Sequence, residues 1–384
     1  MSDRLRPLDG VRGIAALIIA CFLHWHDNIN PNFVLLRFWN GYLDGRILVE
    51  FFFLISGLTF TAFYMKRIAN SEVSFSDFIY SRFVRLAPLY YGTLFYVTFM
   101  LILRKIFSVG TFTYQYNDVH HFVLNLLMIQ NYGLQTDANF NAISWTVCIE
   151  VLMYIVFFVI CKMTKTSCFG RIPGWRHTYF AICWGLIIVG YTLEKSDWKG
   201  STFTLVNANI GRGMIAFFFG SLLYFLLLKA YQGGIRLKLI MFSILLIVVL
   251  IYYFGGVDVW SHGDWWYMLS GFVFIIYPIM IYLITTVKLI RCFLLLKPLQ
   301  YLGKISFTIY MCHYPVQLTM DFINKVSKIN GSYDNYFIWG LYCICVVAIS
   351  SIINAFYEKP LINWLRKYKD KIWKDEKLSN LEKF

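Results

Sequence analysis

Runs of about twenty apolar residues recur along this chain, and Lys and Arg cluster in the short stretches between them. A helix needs about that length to cross the roughly 30 Å hydrocarbon core of a bilayer. Lipid offers backbone amides no partners, so only helices and closed barrels can span it. The composition agrees: 59% of the residues are apolar and 15% are charged, against about 25% charged in a soluble domain. An ordinary soluble enzyme, a disordered chain and a disulfide-rich secreted domain are thereby excluded. The expected fold class is all-α, a polytopic integral membrane helix bundle.

Ten segments qualify as spans, at roughly 10–29, 47–65, 88–107, 143–162, 178–194, 210–228, 238–255, 267–287, 302–323 and 336–357. The stretch 119–132 is too short and reads as interfacial or re-entrant. The positive-inside rule tests the count. With the N-terminus in the cytoplasm, every inner loop carries at least three basic residues, from Arg4, Arg6 and Arg12 to the group between Lys359 and Lys383. One span more or fewer would invert that bias downstream, so about ten spans with both termini cytoplasmic is the expected topology. The polar opening, MSDRLRPLDGVRG, reads as the start of a retained first span rather than a cleaved signal peptide.

The net charge of +14 is therefore a topology signal, and no nucleic-acid partner is expected. The nine cysteines lie mostly inside apolar runs and form no CxxC pair, so no metal is expected. The Trp-rich outer loop 256–267 reads either as an interfacial anchor or as a sugar-stacking platform. Two domains are expected, a transmembrane domain at 1–361 and a basic cytoplasmic tail at 362–384 suited to anionic lipid headgroups.

Ionisable side chains inside a span are costly and usually face a cavity or a partner. Arg12, His24, His26, Glu50, Glu150, Arg212, His313 and Asp321 fall in this class. At 1.5 Å per residue His24 lies roughly 18 Å beyond Arg12, and Glu150 and His313 come to similar depths. A histidine with a carboxylate partner suits proton transfer from a hydroxyl, while a lone intramembrane histidine also serves as an interhelical hydrogen-bonding group. Arg212 can pair with a carboxylate or hold an anionic part of a substrate, and Asp321 reads as solvated or capping. Arg82 and Arg85, three residues apart on one helix face ahead of Pro88 at the start of the third span, suit phosphate. From their charge alone, plain positive-inside topology is the favoured reading.

Five segments in order resemble the acyltransferase-3 family, the polytopic membrane enzymes that O-acylate extracytoplasmic glycans. They are LDGVRGIAALIIACFLHWH (8–26), VEFFFLISGLTF (49–60), FIYSRFVRLAPLYY (78–91), ISWTVCIEVLMYI (143–155) and GKISFTIYMCHYPV (303–316), with weaker echoes at 212–224 and in YEKPL (357–361). The resemblance implies a cytoplasmic acyl-CoA donor, acetyl-CoA first, an outer glycan or glycolipid acceptor, and a pore in the bundle between them. It gives Arg12 a role in stabilising charge along the thioester path, His24 or His26 that of general base, and Glu150 that of orienting this base or the acceptor. Arg82 and Arg85 become CoA phosphate contacts, with Tyr90 beside them. Ser144, Trp145, Glu50, His313 and Arg212 make up the expected substrate-side set.

One spacing departs from the pattern. The family usually places ten residues between its arginine and histidine, whereas eleven separate Arg12 from His24 and thirteen separate Arg12 from His26. A one-residue π-bulge would bring His24 back to the family face; without it His26 is better placed. No Ser or Cys sits in an activated-nucleophile motif, which favours direct transfer, and Cys21 is the one candidate for a covalent relay. The rival reading is a transporter or flippase of a lipid-linked sugar, which would use the same intramembrane charges.

Overall fold

The computed structural model describes residues 2–25, 45–110, 116–135, 138–164, 175–194, 207–254, 271–327 and 335–369. Among these residues the chain is all-helical, with no strand. Helix α1 (Pro7–Ile18) opens with Pro7 in its first turn and runs into a π-helical turn, Ile19–Leu23. Then come α2 (Gly45–Phe60, continued by a π turn at Thr61–Met65), α3 (Phe75–Ile106), the short α4 (Val119–Leu126) and α5 (Trp145–Met163). Next are α6 (Trp175–Glu194), α7 (Ala208–Ala230), α8 (Gly234–Phe254) and α9 (Tyr277–Thr286), the last preceded by a π turn at Phe272–Ile276. The chain ends with α10 (Lys288–Leu294), α11 (Lys297–Lys304), α12 (Ser306–Ser327) and α13 (Tyr336–Ile353), which a π turn at Asn354–Glu358 extends.

A helix occupies part of each of the ten expected segments. Among the described residues, five stretches are long and apolar enough to cross a membrane: Ile47–Ala69, Phe75–Ile106, Ala142–Met163, Ala208–Ala230 and Tyr336–Lys369. The number is six if Phe272–Thr286 and Lys288–Leu294, bent by 88°, are one broken span. Polar side chains start several helices by accepting orphan amide protons. Ser74 accepts from Asp77 N at 3.1 Å, Asn207 from Ile210 N at 3.1 Å and Asn335 from Phe337 N at 2.8 Å. Outside the spans, Asp118 caps α4. The His121 amide and ring on its carboxylate hold it below the usual carboxylate range.

Two expectations change. The third helix begins at Phe75, not near 88, and runs on through Pro88. Asp321 is neither solvated nor a cap. It is 4% exposed and accepts from Arg104 at 2.7 Å, with Lys325 at 3.0 Å. A carboxylate so deep needs these cations because burial of an unpaired charge is strongly unfavourable. The stretch 119–132, expected to be too short to span, forms the two-turn α4, which Tyr90 and Tyr91 tie to α3 through hydroxyl bonds to the Asn125 and Leu126 carbonyls. His26 and the loop 256–267 lie outside the described residues, as does the tail beyond Lys369.

Helices α7 and α12 form the centre. Every residue of α7 from Ile210 to Leu223 is buried, and so is every residue of α12 from Thr308 to Leu318. By contrast α13 lies at the edge and exposes Phe337 and Ile344, as a lipid-facing helix does. Lipid does not drive helices together as water does, so small residues that admit close backbone approach matter more. A Cβ on Gly57 of α2 would collide with the Phe217 carbonyl oxygen of α7, and one on Gly220 with that of Leu54. In the same way Gly13 seats α1 against Leu302 and Gly303 of α11.

Gly57→Val and Gly220→Val should therefore each destabilise the solubilised protein, by about 1–3 kcal/mol or more. Gly185→Ala, whose added methyl meets nothing within 4 Å, should not. Thermal unfolding in detergent checks this; equal midpoints for all three variants would contradict the proposed close seating of α2 on α7.

Candidate active site

The π turn in α1 is the first local feature that shapes the site. Its defining bond runs from the His24 amide to the Ile19 carbonyl, one residue further than in an α-helix. The extra residue rotates the end of the helix and frees carbonyls to turn outward. Those of Ala20 and Cys21 accept from Tyr342 Oη at 2.8 Å and Trp339 Nε1 at 2.6 Å of α13. The Trp25 ring packs against that of Tyr342 at a tilt of 33°, with centroids 4.7 Å apart.

His24, so turned, meets α12. Its Nδ1 lies 2.6 Å from His313 Nε2, and His313 Nδ1 lies 2.6 Å from the Tyr310 carbonyl oxygen. That carbonyl can only accept, so His313 carries its proton on Nδ1 and presents a lone pair at Nε2. His24 must then donate from Nδ1, which leaves the lone pair of the neutral ring on Nε2. Two contacts thus assign both tautomers.

One helical turn before His313, the Tyr310 side chain lines a cavity of about 610 Å³. Arg12 of α1, Arg82 and Arg85 of α3 and Lys304 of α11 line the same cavity, and so do Asp9 and Glu150. Arg12 lies 3.4 Å from Asp9. The guanidinium of Arg82 donates to Tyr64 Oη at 2.6 Å and covers the rings of Phe60 and Tyr64. Arg85 bonds to Glu358. Neither Arg82 nor Lys304 has a carboxylate partner among the described residues, so the cavity keeps positive charge that fits a phosphate-bearing ligand. Glu150 accepts from Ser56 Oγ at 3.2 Å and from the Tyr154 hydroxyl, four residues along its own helix. No group of three His, Cys, Asp or Glu among the described residues is placed to hold a metal ion.

The expected site residues therefore separate into two sets. Arg12, Arg82, Arg85 and Glu150 share the cavity, whereas His24 and His313 form a pair that is not part of its lining and is joined to it through Tyr310. The partner of His24 is His313, whereas Glu150 is held by Ser56 and Tyr154. Glu50 and Arg212 are spent on each other. They are buried and joined through both guanidinium edge nitrogens, and Arg212 also donates to Asn209 at 3.0 Å and covers the Trp145 ring at 4.8 Å. Ser144 bonds to Gln130 at 3.2 Å, and Tyr90 to the Asn125 carbonyl at 2.7 Å. None of Glu50, Arg212, Trp145, Ser144 and Tyr90 lines the cavity. Cys21 is buried against Cys343.

Tyr154, Lys304, Ser56 and Glu358 were not singled out from sequence. Tyr154 had a usable signal, four residues after Glu150 on one helix face. Glu358 lay in the YEKPL echo without any hint of its partner.

A family model described as an acyltransferase domain matches residues 6–355, nearly the whole chain. Comparison with curated proteins and with solved structures found no match.

Breaking a buried ion pair strands a charge and costs about 3–5 kcal/mol, whereas replacing both partners with apolar residues is far milder. Glu50→Leu and Arg212→Met should each sharply lower the thermal midpoint of the solubilised protein, and the double variant should recover most of the loss. Additive losses in the double variant would mean that the two charges do not compensate each other.

Proposed function

Because the chain belongs to the acyltransferase-3 family, we propose that it is an O-acyltransferase that crosses the cytoplasmic membrane ten times, with both termini in the cytoplasm. The donor is cytoplasmic acyl-CoA, acetyl-CoA first, and the acceptor is a hydroxyl of a glycan or glycolipid on the outer side. One observation carries the reading: a single cavity is lined by Arg12, Arg82, Arg85 and Lys304 and also by Tyr310, whose carbonyl anchors the His313–His24 pair.

The arginines suit the phosphates of the donor, which guanidinium forks bind in a bidentate manner. His24 Nε2 takes the proton of the acceptor hydroxyl as that oxygen attacks the thioester carbonyl carbon. The carbon–sulfur bond breaks, and the His24 imidazolium returns the proton to the departing thiolate. His313 Nε2, already accepting from Nδ1 of His24, stabilises the positive charge on that ring and keeps it in register. Arg12 is the cation available to the developing oxyanion. Glu150, held by Ser56 and Tyr154, offers an acceptor that orients the incoming hydroxyl. Transfer is direct. Transport of a lipid-linked sugar, the rival activity, consumes no acyl-CoA.

The test is thiol release by the purified protein in lipid nanodiscs supplied with acetyl-CoA and a panel of membrane glycolipids. Acceptor-dependent release is expected. His24→Ala should lower it by about 10²–10⁴-fold, with smaller losses in His313→Ala and Glu150→Gln and little change in His26→Ala. Full activity in His24→Ala would reject this base. Failure of the wild type to bind acetyl-CoA would reject the transferase and return the transporter to first place.

A further inference from the structure

Glu358 is fully buried and does not line the cavity, yet its carboxylate is bonded to a residue that does. One oxygen, Oε1, accepts from Nη1 of Arg85. The other, Oε2, accepts from Thr308 Oγ1 of α12 at 2.6 Å and from Asn354 Nδ2 at 2.7 Å. The carboxylate is thus fixed from two sides before it meets the arginine. The π turn Asn354–Glu358 that carries it is itself fastened to α3, where Tyr357 Oη donates to the Pro88 carbonyl at 2.9 Å, one turn beyond Arg85. The Phe307 ring covers the guanidinium at 5.4 Å.

Within this frame only Nη1 of Arg85 is engaged, and neither Nε nor Nη2 makes a hydrogen bond to the described residues. Those two N–H groups form the side edge of the guanidinium, the edge that binds phosphate in a bidentate fork. A flexible arginine must lose rotamer freedom to present that edge, and a residue that holds it in advance lowers this cost. We propose that Glu358 is a positioning residue for the donor. Seated on Thr308 and Asn354, it grips one corner of Arg85 and turns the other edge toward a phosphate in the cavity. The inference rests on the cavity being the acyl-CoA site.

The experiment is steady-state kinetics of the full chain in nanodiscs, with acetyl-CoA and with acetylpantetheine, a thioester donor that lacks phosphate. Glu358→Gln should raise the KM for acetyl-CoA about tenfold, the scale of one charge-assisted contact, with kcat within about twofold and the acceptor KM unchanged. Arg85→Ala should raise it at least as much, and the double variant should be no worse than Arg85→Ala alone. Thr308→Val, which keeps both charges, should give a smaller rise in the same direction. With acetylpantetheine Glu358→Gln and Thr308→Val should match the wild type, a pattern that mere loss of folding would not produce.

Additive effects in the double variant, or a normal acetyl-CoA KM in Glu358→Gln beside a raised one in Arg85→Ala, would overturn the positioning role and leave the donor site standing. A normal KM in Arg85→Ala as well would remove the donor site, and the positioning role with it.

Discussion

Close contact between α2 and α7 is the constraint on which the rest of the bundle depends. In lipid the solvent does not drive helices together, so their association relies on close packing and internal polar bonds. Gly57 and Gly220 let the two backbones approach until each glycine faces a carbonyl of the other helix. At that separation Glu50 of α2 reaches Arg212 of α7, and two buried charges become one pair. The same contact fixes α2 as a wall of the cavity, since Ser56, Thr59 and Phe60 line it within one turn of Gly57. The glycine seat, the buried ion pair and the cavity wall are thus successive consequences of one contact.

Interruptions of helical regularity then shape the site. Four π turns interrupt the described helices, and two of them bring site residues into place. The turn at Ile19–Leu23 rotates His24 toward His313, and the carbonyls it frees are taken up by Tyr342 and Trp339 of α13. The turn at Asn354–Glu358 delivers Glu358 to Arg85. A π turn forfeits ideal helix geometry and persists where other groups satisfy the backbone it exposes. Both turns lie where helices meet, α1 with α13 and α13 with α3.

Much of the helix order was legible because it rests on local patterns. Apolar runs mark where helices form, and the Arg12–His24 spacing, set against the family pattern, left a π turn that favours His24 or a regular helix that favours His26; the structure has the π turn. Arg12, Arg82, Arg85 and Glu150 were readable as a group through motif resemblance, and the structure brings them to one cavity. The reading of Asp321 failed because its depth came from an estimated helix end, while its partner Arg104 lies 217 residues away in sequence. The third span was placed at 88–107 because the polar, basic stretch before it is not apolar, whereas the helix itself begins at Phe75 and runs through Pro88, a residue that usually disfavours a helix interior. Here packing overrides that preference, and Tyr357 bonds to the Pro88 carbonyl.

By itself the sequence determined that the chain is helical and apolar enough for a membrane, where its helices fall, and which ionisable residues sit inside them. These properties depend on side-chain type and on spacing along one helix, which are local. Only the tertiary structure decided partnership: His24 with His313 rather than Glu150, Glu50 with Arg212, Arg104 with Asp321, Arg85 with Glu358. A charge in lipid must find a counterpart, but its own helix does not say which neighbour will supply it. That choice follows from which helices pack together and how closely their backbones approach.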